Sequence, residues 1–196
     1  MRLMPSRRAI LHLAMIPPAM AQGLNWEGPF TLALLTRHLA AVPERRARFT
    51  EERRFAALDQ PLHSQGRLLW RQPDLLEKHT EAPEPETLRI TGDRVEVIAA
   101  GRPPLSASLA AQPQLRAFAE AMRAPLAGDL AALEALFEVV LTGGPAEWRM
   151  RLTPRDRRTR QAVTSLEIEG SLAEPREFRL LLPNGDAQIL RIEPLP

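Results

Sequence analysis

The chain has 196 residues, 44% of them hydrophobic and 26% charged, with a formal net charge of +2. That is the length of one ordinary domain and the composition of a globular chain, not a disordered one. No run of about 18 apolar residues occurs, so no membrane-spanning helix is expected. The absence of Cys excludes disulfides, thiolate metal sites, Cys nucleophiles and a lipid-modified N-terminal Cys.

The first 21 residues read as an export signal. Arg2, Arg7 and Arg8 make a basic start, residues 9–16 a short apolar stretch, and Ala19-Met20-Ala21 fits the small-x-small cleavage rule. The mature chain is then expected from Gln22, as one domain over residues 22–196, free in the periplasm. Without the leader, 23 basic side chains face 24 acidic ones, a net −1. Such a chain has no long-range field to gather polyanions, so no nucleic-acid partner is expected. All but one of the 26 basic residues are Arg; the exception is Lys78.

Residues 30–42 place Leu34, Leu35, Leu39 and Val42 on one helical face, and Pro43 stops the helix. Residues 45–58 read as extended, with Phe49 and Phe55 on one strand face. In residues 66–71, Leu68 and Trp70 face one way and Arg67, Leu69 and Arg71 the other. Residues 88–97, turning at Gly92-Asp93, read as a hairpin. Helical spacing follows in Leu115, Phe118, Ala119 and Met122, with Pro125 as an interruption. Asp129 is a natural cap for a second helix carrying Leu130, Leu133, Leu136 and Phe137.

A two-residue period then returns. Trp148, Met150 and Leu152 alternate with Arg149 and Arg151, and Leu166, Ile168 and Gly170 with Glu167 and Glu169. Phe178, Leu180 and Leu182 lead to Asn184-Gly185, a tight-turn signal, and Ile189, Leu190 and Ile192 form the returning strand. At least eight strands and about three helices result. Without βαβ alternation, the expectation is an α+β fold: one strongly curled antiparallel sheet whose covering helices enclose an apolar cavity.

Chemistry-bearing motifs are missing: no GxSxG, HExxH, P-loop or GxGxxG. His63 and Ser64 are neighbours and would point to opposite faces of a strand. His38, His63 and His79 read as solvated loop residues, and the basic run Arg155–Arg160 as a solvated loop. No enzymatic activity, cofactor or metal is expected.

The order of segments resembles the LolA family, the periplasmic carriers that ferry lipoproteins from inner to outer membrane. Arg48-Phe49-Thr50-Glu51 resembles its Phe-[Thr/Ser]-Gln strand, and Gly66-Arg67-Leu68-Leu69-Trp70-Arg71-Gln72-Pro73 its Gly-x-Leu-Trp-x-[Lys/Arg]-Arg-Pro segment. Pro83, Leu88 and Gly92-Asp93 keep the family's spacing. The resemblance implies an incomplete barrel of the LolA/LolB-like type, lidded by helices. Its cargo would be acyl chains of a lipoprotein, lipid or glycolipid, passed by a monomer from an inner-membrane donor complex to an outer-membrane acceptor.

The apolar faces nominate Phe49, Phe55, Leu68, Trp70 and Leu76 as cavity lining. From the second half they add Phe137, Trp148, Met150, Leu152, Leu180 and Leu182. Gln72 departs from the family pattern: it stands where an arginine tied to lid closure belongs, so closure is expected to depend little on it. The alternative reading is a periplasmic interaction or regulatory module with a filled core. Trp148 separates the two, being tightly packed in a filled core and partly unpacked in a cavity.

Overall fold

The computed structural model describes residues 26–195. The leader and its cleavage site lie outside the described residues. Thr31 opens the first helix, α1 (Leu32–Ala40), by accepting the Leu34 N–H on its hydroxyl at 3.2 Å, and the helix buries Leu34, Leu35 and Leu39.

Six strands follow: β1 (Glu44–Arg54), β2 (Leu62–Arg71), β3 (Leu75–Ala82), β4 (Glu86–Thr91), β5 (Arg94–Ala99) and β6 (Leu105–Ser108). Two helices come next, α2 (Pro113–Ala127) and α3 (Leu130–Leu136). The remainder is β7 (Phe137–Gly144), β8 (Glu147–Pro154), α4 (Arg157–Ala162), β9 (Ser165–Ser171), β10 (Glu174–Leu181) and β11 (Ala187–Pro194).

All eleven strands form one antiparallel sheet in the order β6-β5-β4-β3-β2-β1-β11-β10-β9-β8-β7. Every neighbour is sequential except β1 and β11, which join the two halves of the chain. The edge strands β6 and β7 do not pair, so the sheet stays open.

The sheet wraps around α2. The Phe118 ring of α2 meets Phe178 of β10 edge-on at 4.8 Å. Arg123 of α2 donates to the Gly92 carbonyl in the β4–β5 turn at 2.8 Å. One apolar cluster runs from Val95 on β5 to Phe137 on β7, with Phe118, Ala119, Met122 and Leu126 of α2 in its middle. Among the described residues no helix is long and apolar enough to cross a membrane.

The structure corrects several expectations. Phe55 lies beyond the end of β1 in a turn, where it is only half-buried, because the strand stops at Arg54. Phe137 begins β7 and is not part of a helical stripe. Pro125 sits in the last turn of α2, where its missing N–H removes a single late bond, and the helix runs on to Ala127. Part of the basic run 155–160 is helical because Asp156 caps α4, accepting from Thr159 N at 2.8 Å.

The histidines are not in loops either. His38 is buried on α1, stacked on Trp26 at 4.0 Å. His63 is exposed on β2, and His79, on β3, bonds Glu77 and Thr87.

The three-residue face of β8 is as the alternation requires, and it is dense. Trp148, Met150 and Leu152 are at most 1% exposed. The indole N–H of Trp148 donates to the Leu172 carbonyl at 2.9 Å, and the ring lies over Gly170, where a Cβ would stand 2.2 Å from the indole. Trp148→Ala should therefore cost about 3–5 kcal/mol in denaturant unfolding. A loss below about 2 kcal/mol would show that the ring is not locked in this packing.

Candidate functional site

The helices close over the concave face of the sheet. Inward positions of the central strands alternate as Phe49 and Glu51 on β1, Leu68 and Trp70 on β2, Leu76 and Lys78 on β3, and Leu88 and Ile90 on β4. This face is apolar at one end and polar at the other. The divide falls between Phe49 and Glu51.

At the apolar end, the space left beneath α2 is a crevice of about 50 Å³, lined by Leu68, Trp70, Leu76, Met122 and Leu126, among others. Trp70 is 3% exposed, yet its indole N–H finds no acceptor among the described residues. Its cross-strand partner Arg45 donates through Nη2 to Leu39 O at 2.8 Å and pairs with Glu174 at 3.2 Å, but its Nε is likewise buried and unpartnered. Each buried donor left so costs about 1–3 kcal/mol.

Two polar latches hold the helices down. The Gln72 amide donates to Ala40 O at the end of α1, at 2.8 Å, and to Leu126 O near the end of α2, at 3.2 Å. The expectation that closure depends little on Gln72 is thereby corrected: a neutral amide reaches both helix ends, where carbonyls lack intrahelical partners. Arg71 lies on the outer face and bonds Glu44 at 2.8 Å. The second latch is Arg123, which donates to Gly92 O and, at 3.4 Å, to Asp74 O, and also pairs with Glu120. Between the helices, Gly128 approaches Ala40 so closely that a Cβ there would lie 2.9 Å from the Ala40 methyl.

At the polar end, Glu51 is the hub. Its carboxylate accepts from Lys78 Nζ at 2.6 Å, from Ser64 Oγ at 2.7 Å and from the Gln188 amide, and pairs with Arg53 at 3.3 Å. Lys78 also stands 4.9 Å from the Phe49 ring centre, a cation–π contact. Burial pushes Glu51 up, but the Lys78 ammonium, Arg53 and the Ser64 hydroxyl outweigh it and hold the carboxyl below its ordinary value. Burial lowers Lys78, against the pull of Glu51. A cleft of about 200 Å³ opens beside this group, between the start of α2 and the sheet.

A larger depression, about 740 Å³, lies elsewhere. It involves outer-face residues such as Arg48, Arg67 and Arg191 and is not covered by helices.

The nominated residues thus divide. Leu68, Trp70 and Leu76 line the apolar crevice, and Phe49 packs in the cluster beside them. Phe137, Trp148, Met150 and Leu152 fill the core beneath the other half of the sheet. Leu180 lines the polar-end cleft, whereas Leu182 lies just past β10, partly buried against the core. Phe55 joins neither opening. Lys78, Glu51, Arg53 and Gln188 were not nominated, because charged or amide side chains at inward strand positions break the apolar pattern that marks a buried face.

With this geometry in view, the comparisons are decisive at the family level. Residues 31–191 match the family described as outer membrane lipoprotein carrier protein LolA-like. The chain belongs to that family. No curated protein matches the sequence. Solved structures similar to this LolA-like protein include a LolA superfamily protein from Nitrosomonas europaea, at 10% identity and a TM-score of 0.47 over 84% of this chain and 92% of that one. A DUF1329 family protein from Desulfovibrio piger shares 8% identity at a TM-score of 0.36, over 83% and 88% of the two chains. The MucA/MucB complex of Pseudomonas aeruginosa gives 13% identity and a TM-score of 0.41, over 82% of this chain and 55% of that one.

The Glu51 hub makes a pH-dependent contribution with a definite sign. Its folded value lies below its unfolded one, so the stability it adds is complete above the unfolded value and is lost as pH falls through the folded value. Urea midpoints of the wild type should therefore drop more steeply between about pH 6 and pH 3 than those of the double variant Glu51→Gln, Lys78→Met. Equal slopes would mean that the pair does not carry this linkage.

Proposed function

We propose that this LolA-like protein is a periplasmic carrier that takes up acyl chains of a lipoprotein or lipid beneath α1 and α2 and delivers them toward the outer membrane. The observation that carries the reading is the pairing of an open sheet's apolar face with a helical cover fastened by Gln72 and Arg123. Enclosing about 15 methylenes removes roughly 12 kcal/mol of apolar exposure to water, at about 0.8 kcal/mol each. A membrane offers the same relief, so a carrier must hold its cargo against water and still open readily to release it.

The crevice at Trp70 fits the closed, unloaded state of such a device. It is too small for a chain, so loading requires α2 to move outward from Leu68, Trp70 and Leu76. The unpartnered N–H groups of Trp70 and Arg45 make the closed state costlier than a fully satisfied core would be, which favours exchange between closed and open forms. An export signal at residues 1–21 would place the protein between the membranes, as the reading requires. In this function the protein acts by binding, not by catalysis.

The second reading is an interaction or regulatory module with a filled core. The packing of Trp148 against Gly170 favours it for the β7–β10 half of the molecule. The two readings part at the Trp70 end, where a carrier must open and a filled module has no reason to.

Native mass spectrometry of protein purified from a membrane-containing extract tests the proposal. A carrier should retain lipid-sized adducts. The Gln72→Ala variant, with its cover loosened, should load and lose added palmitoyl lipid several-fold faster than the wild type. Adduct-free protein that also refuses added lipid would overturn the carrier reading in favour of the filled module.

A further inference from the structure

We propose that the polar end of the concave face is a binding site for an anionic headgroup, carried by an amphiphile whose tail lies beneath α2. The inference rests on the carrier reading and gives its cargo a charge.

The site is a cleft of about 200 Å³ whose lining includes Lys78, Arg53, Gln188, Leu115, Phe118 and Leu180. It brings two cations to a single carboxylate. Glu51 is saturated: Lys78, Arg53, Ser64 and Gln188 all turn to it. The donors are not. The Lys78 ammonium spends one of its three N–H groups on Glu51, and Arg53 approaches Glu51 through Nη2 alone. The cleft's own lining therefore holds two cations with unspent donors and no carboxylate, and Glu51, which both cations meet from the neighbouring opening, is already engaged. Glu86, on β4, lines the neighbouring opening with Glu51 and Arg53 and also attracts the Lys78 ammonium, but it is not part of the cleft's own lining.

The helix above adds to the same sign. Gln112 and Gln114, at the start of α2, also line the cleft, and the N-cap Gln112 makes no side-chain capping bond. The first turn of this 15-residue helix, which starts at Pro113, thus borders the region of Arg53 and Lys78 and brings the positive end of the helix dipole to it. An acceptor-rich anion such as a phosphate or carboxylate suits this donor set, and charge-assisted bonds to it are the strong ones.

The position of the cleft specifies an amphiphile. Phe118 borders the polar cleft, whereas Met122 and Leu126 border the apolar crevice. These three residues recur at four-residue intervals on one face of α2, spanning about 12 Å of helix. Outward movement of α2 would join the two openings into one channel, with cations at one end and Trp70, Leu68 and Leu76 at the other. A single acyl chain with an anionic head matches the polarity of that channel.

The test compares two ligands with the same tail, 1-palmitoylglycerol 3-phosphate and 1-palmitoylglycerol, each titrated calorimetrically into the purified protein below its micellar concentration, with inorganic phosphate as a third arm. The expected result is binding of the phosphate lipid at least about tenfold tighter than the neutral lipid, with the preference shrinking as salt is raised. Arg53→Gln, at a half-exposed position, should reduce the preference several-fold. The double variant Glu51→Gln, Lys78→Met, which removes the buried pair together and avoids stranding one charge, should reduce it too. Inorganic phosphate should bind only weakly.

Equal affinity for the two lipids, or a preference untouched by both variants, would overturn the headgroup site and leave the carrier reading standing. Inorganic phosphate binding as tightly as the phosphate lipid would overturn the amphiphile assignment in favour of a free anion. Failure of both lipids to bind would overturn the carrier reading and this inference with it.

Discussion

The structure depends on one packing contact, the apolar face of α2 against the concave side of the sheet. An antiparallel sheet of eleven strands that curls without closing leaves an apolar inner face with nothing beyond it. Ala117, Phe118, Ala121, Met122 and Leu126 cover that face. Small residues at 117, 119, 121 and 124 let the helix sit deep within the curl, while Phe118 and Met122 reach into it. The remaining helices lean on α2 more than on the sheet, so whatever moves α2 uncovers the interior.

The two halves of the sheet treat this contact differently. Beneath β7–β9 the packing is tight: Trp148 is locked by Gly170 and Leu172, and Met150, Leu152 and Leu166 are sealed beside it, whereas Phe178 on β10 is covered in part by Phe118 of α2. Beneath β1–β5 the seal is made by polar latches at the rim and by a sheet face that changes from Trp70 and Leu76 to Lys78 and Glu51 within two residues along a strand. Gln72 and Arg123 bond backbone carbonyls without an ion pair across the helix–sheet gap; the Gln72 bonds, neutral on both sides, contribute modestly, and the Arg123 bonds, with a charged donor, contribute more. A rigid half and a releasable half in one sheet are what a carrier needs, since cargo must enter without unfolding the scaffold.

Much of this was legible in the sequence. Strict alternation in residues 148–152 and 166–170 marked β8 and β9, and Asn184-Gly185 marked the β10–β11 turn, because there one face is wholly apolar and the other charged. The helix start at Asp129 was legible from capping chemistry. What escaped has a common cause. β3 reads Leu-Leu-Glu-Lys-His-Thr-Glu-Ala, with Lys78 inward and Glu77 outward, so no period emerges. β6, of sequence Leu-Ser-Ala-Ser, is exposed along its length and has no buried face to reveal it. Phe137 was misplaced because the stripe of α3 continues smoothly into the first residue of β7. The latch role of Gln72 was hidden because one side chain spans two helix ends brought together only by the fold. The buried polar hub was invisible for the same reason: Glu51, Ser64, Lys78 and Gln188 come from four strands far apart in the chain.

The central claim is that α2 moves to admit an acyl chain beside Trp70. Its most direct test is the fluorescence of a variant whose only tryptophan is Trp70, made by Trp26→Phe and Trp148→Phe and shown to fold, titrated with a fatty acid brominated along its chain. Bromine quenches an indole only on close contact. The account predicts saturable quenching of Trp70 that is faster to develop when Gln72 is replaced by Ala. An indole that stays unquenched at ligand excess, in folded protein, would contradict it.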